Sequence, residues 1–403
     1  MIPELRRRFN QHWTPELYAE FVRRVDEISG THVGFRCSEA PVFLPPDLLA
    51  KMIRYGRELY AQLASNREYR PASEAAIPPQ YKVPNEAEHP LFVQADFGLV
   101  RASDGTLEPK LVEIQGFPSV YAFQAALADQ YQAVYNLDET VGTELTPFLG
   151  GLTAETFADE LRRAVCGAHA PEQVVLLEID PYHQKTLVDF LLTRKLLGIQ
   201  IACITEVKKR GRKLYLGDTQ IKRIYNRVIV DELIRKNVQA DFRFTDDLDV
   251  EWAGHPNWFF RLSKFSLPWF RHVSVPETWF LSDLKTLPGD LENYVLKPLY
   301  SFAGLGVQIG PTRDEIEAIS QRQRAEFILQ RKMDFVATIE TPSGLTKVET
   351  RIMYIWDCEL KPITTVIRTG RGKMMGVDFN KNLDWVGASA GFTPARQQHE
   401  NRS

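Results

Sequence analysis

Apolar residues recur along this chain in two periods, and the switches between them mark out its elements. Thr14-Pro15 supplies a helix cap followed by proline at the first helical position, and Leu17, Phe21, Val25 and Ile28 keep one face apolar until Gly30. Leu49, Met52, Ile53, Leu59 and Leu63 predict a second helix after Pro45-Pro46. Residues 65–90 are rich in Pro, Ala and Glu and read as a surface loop. From residue 91 the period becomes two: Leu91, Val93, Ala95, Phe97 and Leu99 face one way, and Gln94, Asp96 and Gly98 the other. The turn Ser103-Asp104-Gly105 reverses the chain into residues 109–115, where Val112 and Ile114 oppose Leu111, Glu113 and Gln115.

After a helical stretch near 120–136, a buried strand (173–179), a helix (183–197, stopped by Gly198) and a second strand (199–204) form a βαβ unit. A basic hairpin with a water-facing tip (206–217) leads into a strand at 219–229, with Arg227 at its end. The aromatic stretch 251–285 reads as core and interface packing around Lys264. Two apolar runs, at 294–296 and 307–309, flank a loop holding Ser301, Gly304 and Gly306, with Lys297 where the first strand ends. Thr312 with Glu315 is a capping box, and a strand follows at 326–330. The alternating hairpin 347–368 places Lys347, Glu349 and Arg351 on one face, and the polar tail beyond Gly387 is expected to fray.

Composition narrows the chemistry. A chain of 403 residues with 44% hydrophobic content can bury a large core and divide into two or three domains. Its 49 basic and 52 acidic residues are mixed along the chain, so no global field points to nucleic acid or a membrane, and Arg6, Arg7 and Arg8 read as a solvated face. Cys37, Cys166, Cys203 and Cys358 stand far apart, without metal-site or disulfide-framework spacing, which fits a reducing cytoplasm. No run approaches the ~20 apolar residues of a membrane span, and no signal-type segment opens the chain. Small-molecule chemistry is the default expectation.

Two stretches carry that chemistry. In the 294–309 hairpin, glycines let backbone N–H groups turn toward an anion and Lys297 offers a point charge to phosphate; an ordinary hairpin with a solvent-reaching lysine also fits. Asp96, Glu113 and Gln115 converge on adjacent strands as an oxygen seat for a hard cation such as Mg2+, or as the wet face of an antiparallel pair.

Taken together, these pieces resemble the nucleotide site of the ATP-grasp superfamily. VLKPLYSFAGLGV resembles its lysine strand and glycine loop, FILQRKMDF its adenine hinge, and ADFGLVRASDGTLEPKLVEIQGFPS its aspartate and Glu-x-Asn strands. The last of these lies upstream of the others, the order of the circularly permuted branch that includes glutathionylspermidine synthetase-like proteins. WFFRLSKFSLPWFRHVSVPETWFL looks like the segment that introduces the first phosphate-contacting lysine, here Lys264. The resemblance implies a permuted ATP-grasp fold with antiparallel sheets clamping ATP and a Rossmann-like α/β domain. It divides the chain into residues 1–150 (helices plus the permuted metal strands), 151–250 (α/β domain) and 251–403 (lysine and glycine-loop subdomain with the remaining core strands).

The same resemblance implies an ATP- and Mg2+-dependent ligase that activates a small-molecule or peptide carboxylate as an acyl phosphate and joins it to an amine or thiol. Lys264, Lys297, Ser301, Gly304, Gly306, Gln330 and Met333 would hold the nucleotide, Asp96, Glu113 and Gln115 the metal, and Arg351, Arg368 and Lys297 would serve catalysis. Arg36, Arg227, Arg371 and Asn380 are candidates for the substrate. Glutamine at 115 departs from the family's asparagine, keeping the carbonyl oxygen but moving it one methylene outward. A small-molecule kinase and a nucleotide-binding module with weakened catalysis are the alternatives. The resemblance also makes a structural demand: hairpin 91–115 must pack beside hairpin 347–368, facing Lys297.

Overall fold

A computed structural model describes residues 1–301, 304–376 and 379–395. The architecture is mixed α and β, with several antiparallel sheets and one parallel sheet. Local signals act where the sequence places them. The Thr14 hydroxyl accepts from the Leu17 N–H and starts helix Pro15–Ser29, which ends at Gly30 in the left-handed region. Thr312 and Glu315 cap helix Arg313–Glu317 reciprocally.

Hairpin 91–115 does pack beside hairpin 347–368. Strand Phe92–Arg101 lies between Leu107–Gln115 and Lys347–Asp357, the latter pairing onward with Glu359–Gly370 and the edge strand Gly387–Ser389. One face of this sheet buries Val93, Ala95, Phe97, Ile114 and Ile352 against helix Pro46–Ser65. The opposite face carries Gln94, Asp96, Glu113, Glu349, Arg351 and Arg368. Leu111 departs from the simple alternation. A bulge at Val112 leaves Asp96 opposite Glu113 but Phe97 opposite Leu111, so Leu111 joins the core face rather than sharing a side with Glu113.

The βαβ unit forms as expected, in a parallel sheet ordered Glu251–Ala253, Arg223–Asn226, Val174–Glu178, Gln200–Cys203. The expected strand at 219–229 is two strands. Thr219–Ile221 completes a three-stranded antiparallel sheet with the exposed basic hairpin, and Arg223–Asn226 enters the parallel sheet. A small antiparallel sheet orders Thr278–Phe280, Phe327–Arg331, Tyr294–Pro298 and Gln308–Ile309.

Three expectations are corrected. Residues 65–90 contain helix Tyr69–Ala75 and a short 3-10 turn, because Tyr69 buries its ring and bonds Ser266. The chain beyond Gly387 does not fray within the described residues: Gly391–Pro394 pairs with Val42–Phe43 and Leu145–Thr146, and Phe392 is buried. Arg6 is buried over the Phe9 and Phe43 rings and donates to the Pro41 carbonyl, while Arg7 and Arg8 pair with Glu4. The aromatic stretch is core: Phe259 and Phe260 pack with Phe117, and Phe265 and Phe270 pack beneath the large sheet. All four cysteines are free, and among the described residues no helix is long and apolar enough to cross a membrane.

Arg227 is neither surface-exposed nor open to a ligand. Its Nη1 donates to Asp189 Oδ2 at 2.9 Å with both residues buried, and its guanidinium lies over the Phe190 and Phe117 rings. Asp189 also accepts from the Phe123 N–H, so the pair ties two helices to the parallel sheet. Arg227→Ala leaves that carboxylate buried without its guanidinium partner, and chemical denaturation should show a loss of about 3–5 kcal/mol. Nearby, burial pushes the Glu178 carboxyl up to about 8 from the ordinary 4.5, against the pull of the Ile179 N–H and Arg227. The folded state therefore prefers the protonated acid, and stability falls as pH rises from 4.5 through 8. Thermal melts of Glu178→Gln should lose most of that decline; an unchanged slope would assign it to other groups.

Candidate functional site: an ion cluster between two sheets

The register of the large sheet sets acids opposite bases. Asp96 stands across from Arg351, and Glu349 across from Arg368. Arg351 grips Asp96 with both prongs, Nε to Oδ1 at 2.6 Å and Nη2 to Oδ2 at 2.7 Å, while its Nη1 donates to Gln94 Oε1 at 2.8 Å. Gln115 satisfies the cluster with its amide oxygen toward Arg351, accepting from Nη2 at 2.7 Å and Nη1 at 2.9 Å. Arg368 donates to Asp96 Oδ2 at 2.5 Å and also bonds Glu349.

Two lysines close the cluster from other elements. The N–H groups of Leu111 and Gly116 donate to the carbonyls of Ser274 and Leu262, so the intervening segment runs along the outer edge of the Glu113 strand. Within that segment Ser263 caps the 3-10 helix Lys264–Trp269, placing Lys264 Nζ 3.3 Å from Glu113 Oε2 and 2.6 Å from the Ser301 carbonyl. From the small sheet, Lys297 Nζ donates to Gln330 Oε1 at 2.6 Å and to the Val112 carbonyl, the bulge residue, at 3.2 Å. Four cations thus face three carboxylates, Asp96, Glu113 and Glu349.

Burial alone would raise the Asp96 carboxyl, but Arg351 and Arg368 overcome it and hold the group below its ordinary range. Glu349 goes the other way: burial, with Asp96 and Glu113 nearby, outweighs Arg368 and pushes it up. Burial, reinforced by Lys264 and opposed by Glu113, lowers Lys297 to about 8. The space between the sheets is a cavity of about 30 Å³ lined by Glu113, Gln115, Lys264 and Ser301, among others. The Ser301 and Tyr300 hydroxyls are buried beside it without a partner among the described residues. Burying a hydroxyl without a hydrogen bond costs free energy, and a ligand would relieve it.

The other residues singled out by sequence fall in distinct places. Gly304 and Gly306 both have positive φ (+76° and +72°), and a Cβ at Gly304 would meet Met374 at 3.0 Å and Phe379 at 3.5 Å, so the loop leans on those two side chains; Phe302 and Ala303 lie outside the described residues. Gln330 is not at an open hinge. Its backbone pairs with Thr278 on one side and Val295 on the other, and its side chain orients Lys297. Met333 follows that strand, half-buried, with neither backbone group hydrogen-bonded among the described residues. Arg36 bonds Glu39 beside the edge strand, and Arg371 bonds Thr346 and the Asp384 carbonyl. Asn380 is buried and spends its amide on Arg371, Gly372, Met374 and Gly376, holding a loop together. None of these three has a contact with the cluster. Gln94 and Glu349 do belong to it, and their signal was the alternation that put them in step with Asp96 and Arg351.

Asp96, Glu113 and Gln115 meet as expected, but the donor set does not fit Mg2+. Both Asp96 oxygens and the Gln115 oxygen are taken by guanidinium N–H groups, leaving Glu113 beside Lys264. Among the described residues no group of three or more His, Cys, Asp or Glu side chains could hold a metal ion.

No protein-family model and no curated protein sequence matches the chain. Among solved structures it is similar to an apo-form glutathione synthetase-like effector, GSS30, from Globodera pallida. Identity is 11% and the TM-score 0.59, with 94% of this chain and 97% of that chain covered. At that identity the likeness is one of fold.

Lys297 yields a test of anion binding at the cluster. As pH rises through about 8 the free protein loses this charge, and a bound polyanion restores it. Calorimetry of tripolyphosphate at pH 8.5, in two buffers of different ionisation enthalpy, should show proton uptake that Lys297→Arg removes. Binding without uptake would separate Lys297 from the anion.

Proposed function

We propose that the chain is an ATP-dependent ligase of the circularly permuted ATP-grasp type, joining a small-molecule or peptide carboxylate to an amine or thiol. The observation that carries this reading is the convergence of Lys264, Lys297, Arg351 and Arg368, from four elements in the second half of the chain, on one cleft where the Asp96 and Glu113 strands of its first half supply the acids. The fold likeness to a glutathione synthetase-like protein supports it. So does the chain order, in which the Asp96 and Glu113 strands precede the lysine hairpin yet lie against its lysine.

Phosphoryl transfer depends mainly on positioning and charge neutralisation. A triphosphate entering between the sheets would replace the Val112 carbonyl on Lys297 and the Glu113 carboxylate and Ser301 carbonyl on Lys264. Ser301 Oγ would gain a partner, the Gly304–Gly306 turn would cover the phosphates, and the free backbone groups of Met333 would meet adenine. The substrate carboxylate oxygen attacks the γ-phosphorus and the bond to ADP breaks. The amine or thiol then attacks the acyl carbon and gives up its proton to water, and the bond from that carbon to the bridging oxygen breaks, so phosphate leaves carrying the oxygen that came from the carboxylate. Arg351 and Arg368 stabilise charge on the transferring group and then on the oxyanion.

One observation favours a second reading, a nucleotide-binding module without turnover: the guanidinium pairs that occupy Asp96 from both sides. A screen of carboxylates with amine and thiol acceptors separates the two. Ligation should release ADP and phosphate only when both substrates are present, and Lys297→Ala should lower kcat/KM by about a hundredfold or more. AMP and pyrophosphate would overturn the acyl-phosphate route, a stable phosphorylated product would make the protein a kinase, and binding without ADP would leave the module.

A further inference from the structure

Arg351 sits where the fold would otherwise gather oxygens around a metal. Five hydrogen bonds run from its guanidinium to four oxygens: both of Asp96, Gln94 Oε1 and the Gln115 amide oxygen. A fifth oxygen, Glu113 Oε1, lies 3.8 Å from its Nη2. These come from two adjacent strands and enclose the group as a coordination shell encloses an ion. The fork suits this cage, since its Nε and both Nη groups all donate to these oxygens. Arg368 adds a second positive group on Asp96 and is itself held by Glu349.

Opening the cage to a divalent cation would strip a buried arginine of its partners and set the metal against two guanidinium groups. The two neutral amides, Gln94 and Gln115, weaken the pull on a metal and suit a monovalent occupant, because they offer oxygens without adding negative charge. Four cations already outnumber the three carboxylates, which favours an anion over a further cation. Lys264 and Lys297, both buried, face the cluster from the other side of the cleft, and the two unpartnered hydroxyls line the small cavity there.

Resting on the nucleotide-binding reading, we propose that Arg351, supported by Arg368, takes the place of the divalent cation, so that the cleft holds a nucleoside triphosphate without Mg2+. Glu113 is then an electrostatic brake on the anion rather than a metal ligand. Calorimetry of AMP-PNP with the full-length protein tests this, in buffer containing MgCl2 and in buffer containing EDTA. Affinities within about threefold of each other support the inference, and affinity tenfold or more higher with Mg2+ overturns it while leaving the nucleotide site standing. Absence of binding in both buffers overturns the nucleotide reading itself, and the inference with it. Glu113→Gln gives an opposite-sign check: removing a negative charge from the wall should tighten AMP-PNP binding in EDTA several-fold. Weaker binding of this variant in MgCl2, with the fold intact by circular dichroism, would restore Glu113 as a metal ligand and overturn the inference.

Discussion

The buried pair between Asp96 and Arg351 is the constraint around which the site is arranged. Two charges taken out of water persist only when their geometry and remaining hydrogen bonds are satisfied. The fork of Arg351 meets both oxygens of Asp96, and Gln94 and Gln115 absorb further N–H groups. Every element near the cluster is answerable to that requirement. The Asp96 strand must lie directly beside the Arg351 strand, in the register that sets the two opposite each other. Arg368 and Glu349 must then fall opposite each other on the next pair.

The bulge at Val112 links this ionic face to the small sheet. Inserting one residue keeps Leu111 in the core and Glu113 at the cleft, and it turns a backbone carbonyl toward Lys297. Lys297 is thus buried between a carbonyl and the Gln330 amide, with its charge weakened by burial and available for a stronger partner. The closed cleft has space for about one water, and the cations around it are partnered by protein oxygens.

Much of this was legible because a strand has a period of two. Gln94, Asp96 and Gly98 were bound to share a side, as were Lys347, Glu349 and Arg351, once those stretches were strands at all. What escaped was set by neighbours. Leu111 changed sides because of a bulge that no residue type announces. The 387–394 stretch, with its Gly, Ala and Ser, lacks the bulk that marks a strand, yet its small side chains fit between strands already in place. Arg227 looked like a functional side chain at a strand end; Asp189, from a helix thirty-eight positions earlier, makes it a buried strut.

By itself the sequence determined most of the elements, the Thr14 and Thr312 caps, and which side chains most strands would turn the same way, because backbone periodicity and capping hydrogen bonds are local. It also placed the lysine hairpin and the acidic strands at opposite ends of the chain, as separate halves of one site. Only the tertiary structure decided who would partner whom. Asp96 has the chemistry of a metal ligand, and the choice between a cation and a guanidinium fell to Arg351, two hundred and fifty-five residues away. A carboxylate's role is settled by the nearest positive charge in a place water does not reach, and that distance exists only once the sheets have formed.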